Sequence, residues 1–195
     1  MQKQKIKRYV FGILTAFAFV MLSGCWILSF FPLYHENDLV FDKNLLGDWV
    51  NQNETDDVER WTFLQGEDKA YRLIITDDNG IEGEFDAHLL GLNDILYLDL
   101  LPKEPEGNNE FQVAHMVPCH SFLRIELSDD QLYIRAMDYD WLDDRLKDGR
   151  VSIKHSRRKD GFILTSPTKI LQKFIKKYSD EVFSSEAGIL KRVHE

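Results

Sequence analysis

The chain has 195 residues, with 33 acids against 24 lysines and arginines, and a formal charge of -9. That length provides one ordinary domain with room for a real core, and such an acidic surface repels phosphate backbones, which argues against nucleic acid as a partner. With two cysteines, one of them in the N-terminal segment, the fold must stand on its core and not on a disulfide framework.

Lys3, Lys5, Lys7 and Arg8 open the chain, and no acid precedes Glu36. A basic segment stays on the cytoplasmic side of a membrane while the apolar run behind it enters the bilayer. Val10 to Leu22 has the length of a signal-peptide core and is short for a bilayer span. Ser23 and Gly24 then give the unhindered backbone that a peptidase needs at its cut. Leu22-Ser23-Gly24-Cys25 resembles the bacterial lipobox. The resemblance implies that Cys25 receives a diacylglycerol, that the signal, 1–24, is cut away, and that the new amino group is acylated. Several acyl chains anchor a protein stably. The apolar character continues through Trp26 to Phe31, so an uncleaved helix over Tyr9 to Phe31 is the rival reading. Both leave the rest of the chain outside the cytoplasm, in the cell envelope. If the host has two membranes, Trp26 after the cysteine implies the outer one. Loss of the four N-terminal cations takes the formal charge from -9 to -13, which makes lipid and not charge the expected anchor.

Residues 25–43 read as a lipidated tether, apolar first and then polar around Pro32 and Glu36-Asn37-Asp38. From 44 to 195 the pattern is that of a β-rich domain. Leu45 to Val50 is a first strand, and in Glu59 to Leu64 Trp61 and Phe63 share a face. Tyr71, Leu73 and Ile75 share the next, with Arg72 opposite. Asp77-Asp78-Asn79-Gly80 is a hairpin signal of the type I′ kind. Ile81 to Leu92 alternates cleanly, Ile81, Gly83, Phe85, Ala87 and Leu89 against Glu82, Glu84, Asp86 and His88, which predicts a sheet wet on one side. Asn93-Asp94 turns into Leu96, Leu98 and Leu100, and 102–109 is a loop.

Val113 to Leu127 is a strand region broken at Pro118, which cannot donate to a ladder. Leu132, Ile134 and Ala136 return from it, and Asp138 to Leu146 reads as a helical turn. A hairpin joins Val151–His155 to Phe162–Leu164 around Lys159-Asp160-Gly161. The period then becomes helical: Ser166 as cap, Pro167 in the first position, and Ile170, Leu171, Phe174, Ile175 and Tyr178 on one stripe. Glu186 to Val193 reads as a short second helix.

The fold class is therefore mainly β, an antiparallel barrel of about eight to ten strands or a sandwich, with a C-terminal helix. Gly47-Asp48-Trp49 resembles the Gly-x-Trp signature of lipocalins and related barrels, which favours the barrel. The resemblance implies that Trp49 plugs a closed end beneath an arginine, for which Arg124, Arg157 and Arg158 are candidates. The lipobox followed by Asp38-Leu39-Val40-Phe41-Asp42 and Leu45-Leu46-Gly47-Asp48-Trp49 is also similar to a group of uncharacterised bacterial lipoproteins.

Three constellations bear on chemistry. His115, Cys119 and His120, with His88 or His155, have ligand types for zinc, but ordinary strand residues are the default reading. Asp138, Asp140, Asp143 and Asp144 lack the spacing of a calcium loop and suit an acidic helix start. There is no Gly-x-Ser-x-Gly elbow, His-Glu-x-x-His or phosphate loop, so neither an enzyme nor a cofactor is expected. Trp61, Phe63, Tyr71 and Phe85 are the candidate lining of a ligand cavity, with core filling as the plainer alternative. The expected function is binding, of a small apolar ligand or of an envelope partner. The alternatives are a structural or assembly protein with a filled barrel and, less favoured, a hydrolase.

Overall fold

The computed structural model describes residues 26–51, 59–104 and 109–194. The signal segment and Cys25 lie outside the described residues. In chain order the strands are β1 (Trp26–Ser29), β2 (Gly47–Val50), β3 (Arg60–Gln65), β4 (Ala70–Thr76), β5 (Glu82–Leu92), β6 (Ile95–Pro102), β7 (His120–Leu127), β8 (Gln131–Ala136), β9 (His155–Arg158), β10 (Gly161–Leu164) and β11 (Gly188–Arg192). The helices are α1 (Glu110–Val113), α2 (Tyr139–Lys147) and α3 (Thr168–Val182).

Alternation in β3 to β8 buries one face of each strand, and the ring closes so that this face points inward. Strands β2 to β8 pair in sequence order, each antiparallel to the next, and β11 joins β8 back to β2. The result is an antiparallel closed barrel of eight strands, consistent with a lipocalin-like fold.

The closing strand is the segment read above as a second helix. Gly188 to Arg192 is extended because both neighbours offer open edges, and it pairs with Tyr133 on one side and Trp49 on the other. Only Leu190 of this strand is buried, so it carries almost no period-2 signal.

Three strands lie outside the ring. β7 pairs with β8 through Leu123–Leu127, while its first residues, His120 and Ser121, pair with β1. β1 runs parallel to β10, and β9 completes the flap. Trp26 onward, read as a tether, is thus part of the folded body, and Leu33 is fully buried. Gly161 makes the pairing possible: its φ is +140°, and a Cβ there would collide with the Trp26 backbone.

Two apolar cores result. One fills the barrel, with Leu45, Trp49, Phe63, Tyr71, Leu73, Leu89 and Leu98 among its members. The other lies between the outer wall, the flap, α2 and α3, and includes Leu90, Leu92, Tyr97, Phe122, Phe162, Leu171, Phe174 and Phe183. This second layer explains why β5 is wet on one side only in its first half: past His88, Leu90 and Leu92 face α3's layer and are buried.

The type I′ turn falls in a different hairpin from the one expected. Asn93 and Asp94 take φ of 52° and 61°, the type I′ pattern, whereas in Asp77–Gly80 only Gly80 is positive. Asp138 caps α2 by accepting from the Trp141 N–H at 2.9 Å. Ser166 does not cap α3; its hydroxyl accepts from Lys154 N–H at 3.0 Å and Pro167 stands at the cap position. Of the stretch expected as strand from Val113, Val113 itself ends α1, residues 114–119 are irregular, and β7 begins only at His120, after Pro118.

The outer barrel surface carries a small charge network. Glu84 meets Arg72 at 2.7 Å and Lys103 at 2.9 Å, and these two cations hold its carboxyl down at about 2. A depressed folded value gives stability that is present above the ordinary value of 4.5 and is lost as pH falls toward 2. Glu84→Gln is therefore expected to lower the urea midpoint at neutral pH and to match wild type near pH 2. An equal deficit at both pH values would contradict the assignment.

Candidate functional site

The candidate lining residues converge inside the barrel. Trp61, Phe63 and Tyr71 are buried there, and Phe85 is partly buried against the same cluster. Phe63 meets Tyr71 edge-on at 6.1 Å and Trp61 at 6.3 Å, while Phe41 stacks on Tyr71 at 4.9 Å. Their polar handles are committed to the chain itself. The Tyr71 hydroxyl donates to Asp42 O at 3.0 Å and accepts from Asp42 N–H at 2.7 Å, and burial pushes it up to about 12. Trp61 Nε1 donates to Glu59 at 2.7 Å. These groups fasten the chain flanking the strands to the barrel, so none is left to orient a ligand.

One end of the barrel is closed by a compact device. A 3-10 turn, Lys43–Leu45, precedes β2, and Trp49 Nε1 donates to Leu45 O at 2.9 Å. Arg192 lies over the Trp49 ring, 4.1 Å from its centre. Its guanidinium donates to Asp129 O at 3.0 Å, to Leu46 O at 2.9 Å and to Asn44 O. Gly47, with φ +110°, lets the chain turn beneath it, and a Cβ there would stand 3.5 Å from Arg192 Nη1. The covering arginine is therefore Arg192, not one of the three candidates. Arg124 pairs with Asp180, Arg158 with Asp160, and Arg157 with Asp143 while lying over Phe162. Arg192 was hidden because its strand was read as a helix. The need of a closed ring for a last strand beside β2 is the signal that could have found it.

A second polar cluster lies on the outer wall beneath residues 33 and 34. Asp99, 1% exposed, bonds His120 Nδ1 at 2.6 Å and accepts from Leu33 N–H at 2.7 Å. Tyr34 stacks on His88 at 4.4 Å, and His88 is the cross-strand neighbour of Asp99. Burial pulls His88 below its ordinary value despite Asp99 and Asp86 nearby, and burial with those same acids pushes Tyr34 up. Sequence reading passed over Asp99; an acid inside Leu98-Asp99-Leu100 was the available signal, since a buried polar group is the informative exception. The remaining metal candidates do not join it. His115 bonds Phe111 O, Cys119 contacts Val117 O, and among the described residues no group of three metal-capable side chains forms. In the acidic run, Asp143 pairs with Lys147 and Arg157, both at 2.6 Å, which hold its carboxyl down.

Surface hollows of about 440 and 610 Å³ lie side by side near the closed end, sharing Ser128, Asp129, Arg192 and His194. Both are open to solvent. Among the described residues no helix is long and apolar enough to cross a membrane. Comparison with known proteins returns no matching family model, curated protein or solved structure.

Proposed function

We propose that this is an envelope lipoprotein, anchored through Cys25, whose filled barrel is a scaffold and whose outer surface binds a partner in the envelope. The observation that carries the proposal is the barrel interior, where Trp49, Phe63, Tyr71, Leu73, Leu89 and Leu98 are each at most 1% exposed. A drug-sized ligand needs a cavity of roughly 300 to 1,000 Å³ with free polar groups to orient it. The interior instead spends its volume on side chains and its polar groups on its own backbone. This favours partner binding or assembly over carriage of a small apolar ligand. The buried acids Asp99 and Asp143 are held by separate partners, and neither lines either of the two hollows near the closed end, so no catalytic step is proposed. In a host with two membranes, we place the anchor in the outer one.

Native mass spectrometry of the chain purified from its own host tests the scaffold reading. The expected mass is that of the acylated polypeptide, and a releasable small molecule in the folded ion would contradict it. The anchor has its own test. Cys25→Ser is expected to abolish labelling by an alkyne fatty acid and to leave the precursor uncut, whereas labelling equal to wild type would overturn lipidation.

A further inference from the structure

The first described strand begins one residue after the proposed lipid site, and it is not free to move. Trp26 N–H donates to Asp160 O at 2.9 Å, and all four residues of β1 pair with β10. Consecutive Cα atoms are about 3.8 Å apart, so a lipid on Cys25 keeps the start of β1 close to the bilayer.

The outer face of that strand is apolar. Ile27 and Ser29 point inward, so Trp26 and Leu28 share the opposite face, and Phe30 and Phe31 follow directly in the bend that ends the strand. Trp26 is 48%, Phe30 42% and Phe31 43% exposed. Leu28 has Ile163 of β10 beside it, and Met116 and Val117, exposed, lead into the strand that pairs with Ser29. Large aromatics with an apolar body are the residues that settle at a membrane interface. The turn next to Trp26 adds exposed Lys159, and Arg158 beside it pairs with Asp160 of the same turn, in a chain whose formal net charge is -9. Cations at such a position suit lipid phosphates, while the acidic remainder is repelled from them.

We infer that the outer face of β1, Trp26 and Leu28, together with the exposed Phe30 and Phe31 that follow it, lies in the bilayer interface, so that the domain is seated on the membrane and not suspended from it. The occupant of this apolar stripe is the lipid surface itself. The inference rests on the anchor reading, and its test separates the two.

The full acylated chain is reconstituted into vesicles of phosphatidylethanolamine and phosphatidylglycerol, with and without brominated acyl chains, and floated on a density gradient. Bromine quenches tryptophan at close range. Trp49 and Trp61 are buried and Trp141 is half-buried, so the comparison is made in a Trp141→Phe background, where quenching is expected to vanish when Trp26→Phe is added. A Phe30→Glu/Phe31→Glu chain is expected to float and to lose most of the quenching, while Ile81→Glu, at an exposed site elsewhere, keeps it. A chain that does not float overturns anchor and seating together. A chain that floats with Trp26 unquenched overturns the seating alone, and a dimer mass in detergent would then give the stripe to a second copy.

Discussion

Trp49→Ala is expected to cost about 3–5 kcal/mol, the usual range for removing a buried aromatic. Trp49 is fully buried, donates to Leu45 O and carries Arg192 across its ring. Its loss opens a cavity at the closed end and removes the platform beneath a guanidinium that ties residues 44, 46 and 129 together. Trp141 is the internal comparison. It is only partly buried, packs on Phe174 and Tyr178 at the second core, and has Arg145 over its ring. Trp141→Ala is therefore expected to cost clearly less. Urea unfolding of a chain beginning at Trp26 compares them, and a Trp49→Ala midpoint equal to wild type would contradict the plugged end.

Asp99→Ala is expected to be of similar size for a different reason. It leaves His120 and the Leu33 N–H without their partner, and each buried polar group left unsatisfied costs about 1–3 kcal/mol. Asp99→Asn is expected to lose less, since an amide oxygen can still accept from Leu33. The damage has a signature of its own. Asp99 fastens residue 33 to the barrel wall, so hydrogen exchange should rise first in residues 26–34 and not in the barrel strands. Uniform loss of protection across the barrel would show that Asp99 supports the ring itself and not the flap.

The legible part of the fold is the part that alternates. β3, β4, β5 and β6 each put one apolar face inward, and Tyr71, Leu73, Ala87, Leu89, Leu98 and Leu100 fall in the barrel core as their spacing predicts. Gly47 and Trp49 lie at the closed end, but no local pattern marks the arginine that covers them. β11 buries one side chain, and without that strand Arg192 has no place in the ring. β1 was illegible for another reason: its ladder is made with residues far along the chain, and an apolar run after a signal core reads equally well as a membrane segment. Asp99 shows the limit on the site. Its acid was visible, but its partners come from β7 and from the segment after β1, which no local pattern joins.

The proposed scaffold role requires a full barrel. Removing one inner side chain should therefore create a hole that the native chain lacks, because an apolar cavity of this kind stays dry and takes up benzene or xenon. Leu73, buried in the interior cluster, is the side chain to remove. Xenon titration of wild type and Leu73→Ala, followed by methyl chemical shifts, reads this directly. Saturable shifts in Leu73→Ala alone are the predicted result; saturable shifts of the interior methyls in wild type would show a cavity and return the barrel to the ligand carriers.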